Sequence, residues 1–356
     1  MDTCSAIERE DYQIIKDDYD FSLMYGKTIF ITGATGVIGR QIIQFLLYLN
    51  EKDDASIKIL ALVRDLDKAK MTFGKAFTAP LIHWKVGDVL SVPVIDDKID
   101  FIIHGASITS SKAFVEQPVE TIKTAVNGTM NILDFARQHH VTSMVYLSTM
   151  EVFGVTDKSL QSISEKDYGY MNILKPRSSY PESKRLCECM CVGYHSEYNL
   201  PVRIARLALT FGPGMDVNDQ RVAAYFARCV IRKNDIILKT DGSVARPILY
   251  TSDAVSAILM ILLKGCAGEA YNAANPETCI TIKQTAEMII NRLASNKIKL
   301  VFDIPQEVPL EYKETQGVVL PLSVEKLTAL GWRPRVGVQE AYRRLISSFG
   351  VFLPDR

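Results

Sequence analysis

Tyr180 and Lys184 stand four residues apart in Ser179-Tyr180-Pro181-Glu182-Ser183-Lys184, a spacing that puts both side chains on one face of a helix. A free phenol, with a pKa near 10, is a poor base at neutral pH. A nearby ammonium favours the phenolate, which can take a proton from a substrate hydroxyl. Such a pair on a lone surface helix is commonplace; here a glycine loop lies far upstream, in Thr32-Gly33-Ala34-Thr35-Gly36-Val37-Ile38-Gly39. Gly33, Gly36 and Gly39 permit a tight turn and close backbone approach to a pyrophosphate. That group then sits at the positive start of the following helix, beside Thr35, Val37 and Ile38. The next apolar run ends in Arg64-Asp65. An acid there suits the ribose of NAD and an arginine the 2′-phosphate of NADP, so both cofactors stay open. Asp88, after the third run, is placed to meet an adenine edge and equally to make a plain turn.

Positioning these groups requires strands that end together. Short apolar runs at 28–32, 57–63, 82–86, 100–104, 143–148 and 202–207 alternate with helical stretches at about 37–50, 114–139 and 181–198. Continuous apolar strands separated by helices indicate an α/β fold with a doubly wound parallel sheet of Rossmann type. Past residue 209 the texture changes to Gly/Pro-punctuated loops with helices near 219–233, 253–264, 282–294 and 338–348. The expected division is an N-terminal extension (1–26), a dinucleotide-binding domain (27–208) and a smaller substrate-binding lobe (209–356). Within the last part, about 245–264 returns to the first domain.

Composition narrows the partners. The chain of 356 residues carries 41 Lys+Arg against 41 Asp+Glu, which gives no general attraction to nucleic acid. The longest apolar stretches, 42–49 and 254–263, fall short of the roughly 18 residues that span a bilayer. The polar, acidic N-terminus has no apolar core of a signal sequence, and the expected location is the cytoplasm. Seven irregularly spaced cysteines are no disulfide framework. Cys187, Cys191 and His195 recur at helical spacing, but a structural zinc takes four ligands, so the reading is core packing and no metal.

The G-x-x-G-x-x-G spacing, HGAS (104–107), STMEVFG (148–154), YPESK (180–184) and RLALTFGPG (206–214) occur in the order found in extended short-chain dehydrogenases/reductases. From residue 27 the chain resembles the nucleotide-sugar epimerase, dehydratase and decarboxylase family. Segments 165–185 and 212–222 look most like UDP-glucuronate decarboxylases. The resemblance implies bound NAD and a nucleotide-diphosphate sugar, oxidised transiently at C4 while Tyr180 takes the hydroxyl proton. It gives Lys184 the nicotinamide ribose and the lowering of the Tyr180 pKa, Thr149 the reacting oxygen, and Glu151 the place of the active-site carboxylate. It sets Val89 and Ala106 against the cofactor, Ser107 against the substrate, and Arg221 and Arg246 against the diphosphate or an acidic sugar. It also implies a homodimer built on the helices at about 114–139 and 181–198.

Some positions depart from that pattern. Met150 replaces the Asp of dehydratases and the Ser of decarboxylases, and a thioether donates no proton. Leu209 stands for an Asn, Lys239 for an aromatic near the base, Ala125 for a helix Asn and Phe153 for Tyr. The leading expectation is a decarboxylase, followed by a 4-epimerase and then a 4,6-dehydratase. Outside that class stand an NADPH-dependent carbonyl reductase and a non-catalytic dinucleotide-binding protein.

Overall fold

The computed structural model describes residues 5–305 and 320–350; the remaining parts of the N-terminal segment (1–4) and of the C-terminal lobe (306–319 and 351–356) lie outside the described residues. The six apolar runs form β1 (Thr28–Thr32), β2 (Lys58–Val63), β3 (Ile82–Val86), β4 (Phe101–His104), β5 (Ser143–Thr149) and β6 (Val202–Leu207). Beyond them come β7 (Leu209–Phe211), β8 (Ile236–Leu238), β9 (Ala245–Tyr250), β10 (Ala270–Ala273), β11 (Asn275–Thr281) and β12 (Leu300–Phe302). Seven strands make one parallel sheet in the order β10-β6-β5-β4-β1-β2-β3. Its order reverses between β1 and β4, where an α/β sheet opens a ligand crevice at its carboxyl edge.

Both faces of the sheet are covered, which is why its strands read as unbroken apolar runs. Ile29 and Ile31 face one core with α1 (Ala6–Asp18), α2 (Val37–Asp53) and α8 (Thr251–Lys264). Phe30, between them, faces the other core with α5 (Pro118–Gln138) and α6 (Ser179–Tyr198). A third core, with Phe211, Phe226, Tyr250 and Leu345, joins α7 (Val222–Arg232), α9 (Ile282–Met288) and α10 (Val338–Ser348) to the smaller sheet β11-β9-β7.

Four features differ from the sequence reading. The helix expected at 114–139 is two, α4 (Ser111–Glu116) and α5, because Pro118 lacks the N–H to continue the first and opens the second instead. The lobe contains strands where loops and helices were expected; short strands flanked by Gly and Pro leave a weak pattern. The stretch 282–294 changes from α-helix to a π-turn at Ile289–Leu293. The N-terminal segment is built into the body of the molecule rather than appended: the Tyr12 hydroxyl donates to Gln41 Oε1 at 2.6 Å, and Arg40 of α2 meets Glu8 at 2.5 Å. On the lobe side, Arg344 Nη1 and the Tyr250 hydroxyl both donate to the Asp11 carboxylate at 2.7 Å.

Candidate active site

The crevice begins with the turn between β1 and α2. Gly33 has φ +72°, and a Cβ there would lie 2.7 Å from the Gly105 carbonyl carbon. A Cβ on Gly39 would lie 2.3 Å from the Gly33 oxygen, so the helix can sit this close to the loop only without a side chain. Gly36 is the N-cap of α2, and no side chain caps that first turn. The Thr35, Val37 and Ile38 side chains around it are half-buried. A bare cradle under an uncapped helix start fits a dinucleotide pyrophosphate.

Behind the cradle, His104 is buried between Thr32 Oγ1 (2.7 Å from Nδ1) and Thr129 Oγ1 (3.2 Å from Nε2). Burial, with Lys184 adding, pulls its pKa down to about 3, so the imidazole is neutral. The Ala106 amide donates to Thr32 Oγ1 at 3.1 Å, fixing the start of the loop that carries Ser107. Asn131 Nδ2 donates to the Val89 carbonyl at 2.9 Å, and the Val89 side chain is buried. Asp65 caps α3 (Leu66–Phe73), accepting from the amides of Asp67 and Lys68. Asp88 Oδ1 likewise accepts from the Leu90 amide at 2.9 Å, a turn role. Arg64, its side chain 76% exposed, stands 3.8 Å from Asp88.

The catalytic candidates gather at the end of β5 and the start of α6. Tyr180 and Lys184 are buried on one face of α6, as their spacing implies. Lys184 Nζ donates to the Leu147 carbonyl at 2.7 Å and lies 4.6 Å over the Tyr146 ring. Burial pulls its pKa down to about 8. The Tyr180 phenol is pushed well above its ordinary value by burial and then by Glu151; the Thr149 hydroxyl and Arg177 act in the opposite direction. Lys184, expected to lower the phenol's pKa, is not among the groups that do: its ammonium donates to a carbonyl, 5.9 Å from the Tyr180 ring centre. Thr149 Oγ1 also accepts from the Glu151 amide, at 3.2 Å, which starts the tight turn after β5.

Arg177, which the sequence reading did not single out, pairs with Glu151 at 2.8 Å. Its only forewarning was a cation three residues before Tyr180. Arg246 on β9 is half-buried and close enough to Glu151 and Arg177 for both to act on its charge, which puts it at the Tyr180 end of the crevice. Arg221 is elsewhere engaged: it pairs with Asp219 at 2.8 Å at the start of α7. Beneath the site, Arg206 and Glu188 form a buried pair at 2.7 Å that also takes Ser148, at 2.5 Å, and Tyr168. That network joins β5, β6, α6 and the 164–170 loop.

The departures have local explanations. Met150 is buried in the first core. The Ala125 carbonyl accepts from the Cys187 thiol at 3.2 Å, so α5 and α6 approach closely there. Lys239 is ion-paired with Asp303 at the lobe surface. Among the described residues no group of three or more His, Cys, Asp or Glu is arranged to hold a metal, and Cys187 and Cys191 are buried as core residues.

Residues 29–274 match the sequence model of the NAD dependent epimerase/dehydratase family. UDP-glucuronic acid decarboxylase 5 of Arabidopsis thaliana is 31% identical over 328 residues, 91% of this chain and 90% of its own. UDP-glucuronic acid decarboxylase 1 of Xenopus tropicalis is 31% identical over 252 residues, 71% of this chain and 57% of its own. In fold, the chain is similar to the Thermotoga maritima UDP-glucose 4-epimerase solved with UDP-glucose (TM-score 0.74, 19% identity, 91% of this chain and 98% of that one). It is also similar to the Bacillus cereus UDP-glucuronic acid 4-epimerase solved with UDP-glucuronic acid and NAD (TM-score 0.75, 17% identity, 91% and 99%).

Proposed function

The chain belongs to the NAD-dependent epimerase/dehydratase family, and from that premise we propose that it is a nucleotide-sugar-modifying enzyme, most like a UDP-glucuronate decarboxylase. The observation that carries this reading is the meeting of Thr149, Glu151, Arg177, Tyr180 and Arg246 beside the glycine cradle. NAD, when held by the cradle of Gly33, Gly36 and Gly39, would supply the acceptor and later the donor of a hydride at the sugar C4. Tyr180 takes the 4-hydroxyl proton as that hydride leaves, and Thr149 holds the same oxygen. The resulting ketone lies β to a carboxyl on C5, so carbon dioxide departs and the electron pair is held as an enolate. A proton from solvent is taken up at C5, and Tyr180 gives its proton back to the C4 oxygen as the cofactor would return its hydride to C4.

Two arginines near Glu151 favour an acidic sugar, because their planar guanidinium groups suit a carboxylate through forked hydrogen bonds. Buried Met150 offers no proton for the loss of water, which puts 4,6-dehydration last. We further infer a homodimer through α5 and α6, supported by the exposed Val119, Ile122 and Met130 on α5 and Leu186 on α6. The six described cysteines are free thiols, which suits the reducing cytoplasm.

Incubation with UDP-, dTDP-, GDP- and CDP-sugars, uronic acids included, followed by product mass, tests the reaction. Loss of carbon dioxide supports the proposal; an unchanged mass with a new sugar points to epimerisation, and loss of water to dehydration. Protein that ignores all of them but consumes NADPH with an aldehyde is a carbonyl reductase.

A further inference from the structure

Arg177 touches the site along two routes. Its guanidinium pairs with Glu151 at 2.8 Å. The same group lies 4.8 Å over the Phe114 ring, and Phe114 in turn stacks on Tyr180, with centroids 4.2 Å apart and planes 8° from parallel. Arg177, Phe114 and Tyr180 are thus linked in series, brought together from the short turn Pro176–Ser178, α4 and α6. Phe114 is itself anchored: it is buried, and its carbonyl accepts from Ser179 Oγ at 3.0 Å.

From this geometry we infer that Arg177 is a positioning residue for the proton transfer at Tyr180. It neutralises Glu151, whose negative charge would oppose a phenolate beside it, and through Phe114 it fixes the plane of the Tyr180 ring. The inference rests on the reading that Tyr180 exchanges the substrate proton. The other groups around the phenol lack the Arg177 pairing of a Glu151 contact with a Phe114 contact. Lys184, on the same helix, is committed to the Leu147 carbonyl. Arg246 on β9 also acts on Glu151 through its charge, and Thr149 on β5 is uncharged. Lys112 and Glu116 on α4 pair with each other in solvent, and Glu182 pairs with Arg185.

The test uses NAD-loaded protein with tyrosine labelled at the ring carbon that bears oxygen, the Tyr180 signal being assigned by Tyr180→Phe. At any alkaline pH below unfolding, Arg177→Met should show a smaller Tyr180 phenolate fraction than the wild type. Arg177→Lys, which keeps the charge but not the guanidinium over Phe114, should restore most of it. Equal phenolate in Arg177→Met and wild type overturns the inference, as does a wild type in which Tyr180 remains a phenol up to unfolding. This readout needs no substrate, so it stands or fails apart from the proposed sugar chemistry. With a substrate that turns over, Arg177→Met should lower kcat by about tenfold or more while KM stays within about threefold. A raised KM at unchanged kcat would instead make Arg177 a plain binding residue. Should Arg177→Met fail to fold, Phe114→Leu tests the mechanical route: kcat should fall with the phenolate fraction unchanged, and an unchanged kcat overturns that route.

Discussion

At the scale of single residues, the site is a contest between burial and charge. Burial and Glu151 push the Tyr180 phenol up, so a base at this position depends on the Thr149 hydroxyl and the Arg177 charge that oppose them. Tyr180→Phe removes the proton carrier but keeps the ring that stacks on Phe114. It should cut turnover by about a thousandfold or more while leaving the melting temperature and bound NAD nearly unchanged; assays of activity, thermal unfolding and cofactor content check this together. Gly39→Ala is the converse case. Its methyl would meet the Gly33 oxygen at 2.3 Å, so it should lose cofactor and about 2–4 kcal/mol of stability, read from NAD content and denaturant midpoint. His104 carries a pH dependence of its own. Its pKa falls from 6.5 to about 3 in the folded chain, so the unfolded chain takes up the proton first as the pH drops. Its stabilisation is complete above the unfolded value and is lost as pH falls toward the folded one, at up to about 1.4 kcal/mol per pH unit. Wild-type stability should therefore drop more steeply between about pH 7 and about pH 5 than that of His104→Gln; parallel slopes would refute the assignment.

At the scale of elements, α1 ties the glycine-loop helix to the lobe. Glu8 holds Arg40 and Gln41 of α2, while Asp11 holds Arg344 of α10 and Tyr250 of β9. Asp11→Asn weakens the acceptor that Arg344 and Tyr250 share, while Arg344 keeps Glu10 and Glu340. It should cost about 1–2 kcal/mol and speed amide exchange across α1; hydrogen exchange by mass spectrometry would locate the effect, and protection equal to wild type would count against this role. None of these partners is near in sequence, which is why the segment gives no sign of them beforehand. By contrast, the α2 start, the strand series and the shared face of Tyr180 and Lys184 were legible, because each depends on spacings within one element. The break at Pro118 was legible in principle too, since a proline in a helical run has one consequence.

At the scale of the whole molecule, three apolar cores hold the sheet, its helices and the lobe together, and the proposed dimer adds a surface beyond them. Ile122→Glu with Met130→Glu places two charges on the exposed face of α5. If that face pairs two chains, the variant should sediment as a folded monomer where the wild type is a dimer; an unchanged assembly would remove α5 from the contact. The sequence by itself determined the fold class, the glycine cradle and the Tyr180–Lys184 pair, since periodicity, missing side chains and helical spacing are local. The tertiary structure decided the rest: Arg177 on Glu151, Phe114 on Tyr180, Arg246 beside both, and Arg221 turned to Asp219. These depend on where separate elements end in space, and the burial that sets the Tyr180, Lys184 and His104 protonation states exists only once those elements have packed.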